Sequence, residues 1–222
     1  MLQLGARELG IMGRAFWPML VRGVEYTIPL AVISFLLGLV LAMAAALAII
    51  NKVPFLVLVA RLYVWIFRGT PLLVQLFIVF WGICSPLGVS KWIAAVIAFS
   101  LNVGAYSAET IRAAILSIPA GQWEAGRSIG MSYGQIFWRI ITPQAAKVAM
   151  PPLFNSFISL VKDTSLASTL MIGEMFRKAQ EFAASSFEYF WLYTEVALIY
   201  LLFCTVLTFV QKQIECKLRV GK

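Results

Sequence analysis

The stretch Tyr26–Asn51 contains no charged side chain, and this feature restricts the fold more than any other. A helix needs about 20 apolar residues to cross a hydrocarbon layer about 30 Å thick, because each residue adds about 1.5 Å. The stretch is longer than this and is bounded by Glu25 and Lys52. It therefore predicts a transmembrane helix.

The composition extends this conclusion to the whole chain, since 61% of the 222 residues are hydrophobic and only 13% are charged. Typical soluble domains are about 45–50% apolar and about 25% charged. A soluble globular protein, a disordered chain and a fibrous protein are thereby excluded. We expect an all-α membrane protein with a single domain over residues 1–222.

Four further apolar stretches bring the predicted number of transmembrane helices to five. The second stretch is interrupted by Arg68-Gly69-Thr70-Pro71, which predicts a broken or kinked helix. Residues 1–25 are expected to form a short interfacial helix, and residues 172–188 a charged loop. The predicted spans are at about 26–51, 54–83, 91–117, 143–171 and 189–211, with a more polar segment at 119–142.

Lysine and arginine indicate the orientation of the chain, because they are enriched in the cytoplasmic loops of membrane proteins. Five spans place the two termini on opposite sides of the membrane. The larger share of Lys and Arg lies on the side of residues 119–142 and of the C-terminus. We therefore predict a multi-pass membrane protein with a cytoplasmic C-terminus. This placement also accounts for the net charge of +8 without nucleic-acid binding.

The segment at 119–142 reads as two short helices joined by a glycine turn. Pro119 favours a helix start, Gly130 favours a helix end, and Ser132 with Gln135 matches a capping box for the second helix. We predict that the second helix ends at Thr142-Pro143. The segment is rich in large apolar residues, which indicates either a site for a partner protein or a helix pair lying on the lipid surface.

The same segment resembles the EAA motif of ABC importer permeases, Glu-Ala-Ala-x3-Gly-x9-Ile-x-Leu-Pro. Glu124, Ala125, Gly130, Ile140 and Pro143 match the motif with its spacing. This sequence departs from it at two positions, with Gly126 in place of Ala and Thr142 in place of Leu. In that family the segment forms coupling helices that dock into a groove on the ATPase subunit. The resemblance implies that the docking turn here comprises Glu124, Ala125, Gly126 and Gly130.

Two more blocks, Arg68–Pro71 and Asn155–Leu166, resemble the permeases of polar amino acid importers for histidine, glutamine, arginine and cystine. The similarity covers roughly residues 20–215. It implies the type I importer permease architecture and a second permease subunit, identical or similar to this one. It also implies cytoplasmic ABC ATPase subunits, an extracytoplasmic solute-binding protein and a location in the bacterial cytoplasmic (inner) membrane. It leaves open which amino acid is carried and whether the permease pair is a homodimer or a heterodimer.

Polar residues inside the predicted spans are the candidates for a substrate path, because charged groups in a span usually face an interior or a water-filled cavity. Asn102, Tyr106 and Glu109 recur at the i, i+4, i+7 spacing of one helix face, and so do Asn155, Ser159 and Lys162. They equally fit hydrogen bonding between helices. A zwitterionic amino acid needs both acceptors and donors. The candidate path residues are Arg68, Thr70, Asn102, Tyr106, Glu109, Asn155, Ser159, Lys162 and Asp163.

Several kinds of chemistry are excluded by what the sequence lacks. There is no histidine, and the three cysteines are far apart, so no catalytic triad or zinc site of the usual kind is available. No glycine-rich phosphate loop is present. We therefore expect no catalytic residue, no metal and no cofactor in this chain, with ATP bound by the partner subunit. An ion- or proton-coupled secondary transporter, with Glu109 and Asp163 as proton sites, is the alternative.

Overall fold

We describe the chain from a computed structural model, which covers residues 5–220, with side chains for residues 5–217. Within these residues the protein is helical and has no strand. Three π-helical segments and one 3₁₀ helix connect some of the helices: Gly23–Thr27, Ile78–Cys84, Phe137–Ile141 and Thr164–Leu170. The α-helices are α1 (Ala6–Arg22), α2 (Ile28–Ile50), α3 (Leu56–Gly69), α4 (Leu72–Phe77), α5 (Lys91–Leu116), α6 (Ala120–Ser128), α7 (Tyr133–Ile136), α8 (Thr142–Asp163), α9 (Met175–Ser186) and α10 (Tyr189–Val220).

Three helices of the described chain are long and apolar enough to cross a membrane: Ala6–Ile50, Lys91–Leu116 and Tyr189–Lys217. A fourth candidate is the pair Leu56–Gly69 and Leu72–Cys84, which meet at an angle of 112°. The predicted break at Arg68–Pro71 lies at this bend. Helix α8 coincides with most of the fourth predicted span but is more polar. The five-helix count therefore remains a prediction.

The closest packing in the bundle is between α2 and α5, where Gly38 and Gly104 face each other. A Cβ atom added to Gly104 would lie 3.0 Å from the carbonyl oxygen of Gly38 and 2.6 Å from the hydroxyl of Tyr63. Small residues let two helix backbones approach in this way, which is how helices associate in lipid. This contact fixes α5, whose polar side chains form the candidate site, against α2.

Two expectations from the sequence are corrected by the structure. The segment 172–188 is not simply a loop, because it contains α9. The second helix of the 119–142 segment does not end at Thr142-Pro143 but continues through Phe137–Ile141 into α8. Pro143 is tolerated because it lies in the first turn of α8, directly after the wider π-helical turn.

Glu174 begins α9 and lies outside the predicted spans. Its side chain is fully buried. One carboxylate oxygen accepts a hydrogen bond from the backbone N–H of Arg177 at 2.6 Å, and the other accepts one from that of Phe176 at 2.8 Å. The hydroxyl of Tyr200 donates to the same carboxylate at 3.1 Å. Burial raises the pKa of Glu174 to about 7, although the backbone and Tyr200 hydrogen bonds oppose this.

We expect the stability of the protein to fall as the pH rises from about 5 to 8. A carboxyl group with a raised pKa stabilises the folded state below its ordinary pKa, and this contribution is lost as the pH passes the folded value near 7. The loss is on the order of 3 kcal/mol, at about 1.36 kcal/mol per pKa unit. Thermal unfolding of the purified protein across this range measures it. Glu174→Gln should flatten the dependence of stability on pH, whereas Glu181→Gln should not. If the wild type and both variants depend on pH equally, Glu174 is not the group responsible.

Candidate functional site

The break between α3 and α4 is held by the amide of Gln75, a residue that the sequence analysis did not single out. Its Nε2 contacts the carbonyl oxygen of Phe67 at 2.9 Å and the Thr70 hydroxyl at 2.8 Å. Its carbonyl oxygen accepts a hydrogen bond from Asn102 at 2.8 Å. Gln75 is almost fully buried. One amide thus joins both sides of the bend to α5. The feature of the sequence that could have identified this residue is a single glutamine within an apolar stretch soon after Pro71.

A cavity of about 510 Å³ lies between this break, α5 and α8. It is lined by polar atoms from all three elements, and its floor and walls are completed by apolar side chains such as Leu72 and Leu160. Its volume lies in the range of about 300–1,000 Å³ that is usual for small-molecule sites. The cavity brings together these predicted path residues: Thr70, Asn102, Tyr106, Asn155, Ser159 and Asp163.

Arg68 and Glu109 line a different cavity, of about 590 Å³, together with Arg61 and Arg112. Glu109 forms an ion pair with Arg112 at 2.7 Å. The guanidinium group of Arg68 lies 5.5 Å from the ring centre of Tyr106. Tyr106 lines the first cavity, so this contact links the two cavities. The carboxylate of Glu109 is therefore neutralised by Arg112 of the same helix. It does not share a cavity with Asp163.

Lys162 lies apart from the other predicted path residues. It lines a third cavity, of about 540 Å³, between α8, α9 and α10, whereas its neighbour Asp163 lines the first cavity. Asn155 accepts a hydrogen bond from Gln211 of α10 at 3.1 Å. Asn155 and Asn102 thus each join two helices and also line the first cavity. Hydrogen bonding between helices and a place in the substrate path are therefore compatible for these two residues.

The 119–142 segment folds into a compact turn. Gly130 has a φ of +78°, which favours glycine, and the capping box of Ser132 and Gln135 is confirmed. Gly126 is buried against α7, where an added Cβ atom would lie 2.7 Å from Cγ1 of Ile136. Glu124 and Ala125 of α6 are exposed.

Aromatic side chains hold this turn to the rest of the chain. The rings of Trp123 and Tyr133 stack with their centres 5.3 Å apart, and those of Tyr133 and Phe137 lie 6.4 Å apart. The Tyr133 hydroxyl donates a hydrogen bond to Asn51, at the end of α2, at 2.9 Å. The large apolar residues of this segment differ in exposure, because Ile136 is buried whereas Ile129 is exposed.

The chain is similar to known membrane transport proteins in sequence and in fold. Residues 34–220 match the family described as binding-protein-dependent transport system inner membrane component. The L-cystine transport system permease protein TcyB of Bacillus subtilis (strain 168) is 50% identical over 94% of this chain and 90% of its own length. The probable amino-acid ABC transporter permease protein PatM of Vibrio harveyi is 42% identical over 90% of this chain and 92% of its own. The crystal structure of an amino acid ABC transporter with histidines superimposes with a TM-score of 0.86 at 29% identity, covering 97% of this chain and 100% of that one.

Proposed function

The chain belongs to the binding-protein-dependent transport system inner membrane component family, as an ABC amino acid importer permease, and we propose that the 510 Å³ cavity is its substrate path. We further propose that a separate ATPase binds its 119–142 segment. The cavity carries this proposal. It collects amide, hydroxyl and carboxylate groups from the helix break, α5 and α8 at one place in the bundle. Hydrogen-bond partners of these kinds suit a polar amino acid.

The substrate is a polar amino acid, and L-cystine is the first to test, because the 50% identical relative is named for its transport. Asp163 offers an acceptor for the substrate ammonium group, while Asn155 and Asn102 offer amide donors and acceptors. Arg68 and Glu109 line the 590 Å³ cavity and form the next part of the path.

Coupling occurs through the exposed part of the 119–142 segment. Glu124 and Ala125 project from α6, and the stacked rings of Trp123, Tyr133 and Phe137 transmit a force on α6 to α2 and α8. The ATPase supplies ATP binding and hydrolysis, and this chain carries no catalytic residue or cofactor. ATP binding drives transport only if it favours one conformation of the permease over another.

The assembled importer contains two permease subunits, which are identical or similar, two ATPase subunits and an external solute-binding protein. The C-terminus and the 119–142 segment face the cytoplasm. Proton-coupled secondary transport gains no support from Glu109, because its carboxylate is paired with Arg112 at 2.7 Å. Uptake of radiolabelled L-cystine into proteoliposomes, with all subunits present and with or without ATP, tests the proposed function.

We expect Asp163→Asn to reduce L-cystine uptake about tenfold or more, mainly by raising KM, because the substrate ammonium group loses a charged acceptor worth about 1.5–3 kcal/mol. A comparison variant is Lys162→Gln, which also removes a charge from α8; it should reduce uptake less than Asp163→Asn, because Lys162 lines a different cavity. The two variants should retain equal ATPase binding. Equal uptake by the Asp163 variant and the wild type would remove Asp163 from the path.

A further inference from the structure

A narrow apolar groove of about 210 Å³ lies between α2, α5 and the start of α8, next to the 119–142 segment. Its walls include Met43, Ile115, Phe137 and Ala146, and its lining is apolar apart from Thr142. The hydroxyl oxygen of Thr142 is buried and has no hydrogen-bond partner. The groove is separate from the 510 Å³ cavity and from the exposed side chains of α6, although Phe137 of the 119–142 segment forms one of its walls.

The size and lining of the groove restrict what can fill it. Water is disfavoured, because a bound water molecule needs two to four polar partners. A helix of a partner protein cannot enter the groove, because one turn of a helix about 10 Å across and about 5.4 Å high occupies about 400 Å³. A flexible hydrocarbon chain is narrow enough and is the most abundant apolar group around a membrane protein.

The surroundings of the groove provide a site for the other end of such a molecule. Trp138 lines the groove and is 60% exposed, as is typical of tryptophan at the membrane surface. Arg139, the next residue, is exposed and has no ion-pair partner among the described side chains. An exposed arginine next in sequence to a residue that lines an apolar groove complements the phosphate group of a lipid.

We propose that this groove binds one acyl chain of a membrane phospholipid, whose phosphate group is held by Arg139. The chain would lie against the ring of Phe137, which also stacks with Tyr133 and lies 6.5 Å from the ring of Trp123. A bound lipid therefore supports the turn that carries Glu124. The lipid site does not depend on whether an ATPase binds that turn.

The test uses the full-length protein, purified in detergent and stripped of lipid, with dioleoyl phosphatidylglycerol as the probe. Added lipid should raise the Tm of the wild type, since a ligand that binds only the folded state stabilises it. Mass spectrometry should detect one retained lipid per chain. Ala146→Trp should fill the groove and abolish both effects, and Ala146→Leu should reduce them. The control Val40→Trp places the same ring on an exposed site of α2 and should leave them intact.

The phosphate is tested with dioleoylglycerol, which has the same acyl chains and no phosphate. The wild type should bind the phospholipid about tenfold more tightly than dioleoylglycerol, and Arg139→Gln should bind the two equally, as expected for one charge-assisted hydrogen bond. Equal lipid retention by the wild type and Ala146→Trp would overturn the proposal. Disulfide formation between two chains carrying Ala146→Cys would also overturn it, because a second protein copy would then cover the groove.

Discussion

Gly104→Val is expected to leave almost no folded protein in the membrane. The added side chain would have to fit where a Cβ atom alone already lies 3.0 Å from the Gly38 carbonyl oxygen and 3.3 Å from Cβ of Leu41. The first of these is backbone and cannot rotate away, so α2 and α5 must separate. Overpacking usually costs about 1–3 kcal/mol, and here the separation also opens the largest helix contact of the bundle. Membrane abundance should fall at least about tenfold.

A matched control is available for this substitution. Gly82 lies in an apolar helical segment, and a Cβ atom there would meet nothing within 4 Å. Gly82→Val should therefore leave abundance and Tm close to those of the wild type. Detergent-solubilised protein is measured by size-exclusion chromatography, which separates a folded peak from aggregate. A normal peak for Gly104→Val would show that α2 and α5 are not in this close contact.

Gly126→Val is expected to abolish ATP-driven uptake while the chain still inserts into the membrane. The new side chain would collide with the buried Ile136, which lies 2.7 Å from the added Cβ atom. Helix α6 must then move away from α7 and carry Glu124 and Ala125 with it. A displacement of about 1 Å in a positioned group can cost about 100-fold in rate, and we expect a loss of that size here.

The same helix supplies the control for this prediction. Gly121 is also in α6, and a Cβ atom there would meet nothing within 4 Å, so Gly121→Val should transport normally. Shortening the obstructing side chain in the double variant Gly126→Val, Ile136→Ala should restore part of the uptake. Uptake is measured per folded permease, so that a loss of abundance is not mistaken for a loss of coupling. If both valine variants transport equally well, the position of α6 does not matter for coupling.

Features set by local sequence were predictable for this protein. The apolar length of Tyr26–Asn51 predicted a helix through the hydrocarbon layer, and the structure has one continuous helix there. The capping box at Ser132 and the glycine turn at Gly130 were also predictable, because each depends on residues within one or two turns. The family motif added the importer permease fold.

Features set by contacts between distant residues were not predictable. The spacing of Asn102, Tyr106 and Glu109 correctly places them on one helix face. Spacing does not reveal that the carboxylate of Glu109 forms an ion pair with Arg112. The role of Gln75 depends on Asn102, which approaches it only in the folded chain. The predicted helix end at Pro143 was wrong because a π-helical turn before the proline, which propensity does not encode, lets the helix continue.

The helix Ala6–Ile50 is continuous over 45 residues, which corresponds to a length of about 67 Å at about 1.5 Å per residue. That is more than twice the thickness of a hydrocarbon layer of about 30 Å. The excess is the α1 end, where Ala15 and Met19 form a separate hydrophobic cluster with α9 and the first turns of α10. A single crossing therefore does not need the whole helix, and the α1 end is instead held by its packing against α9 and α10.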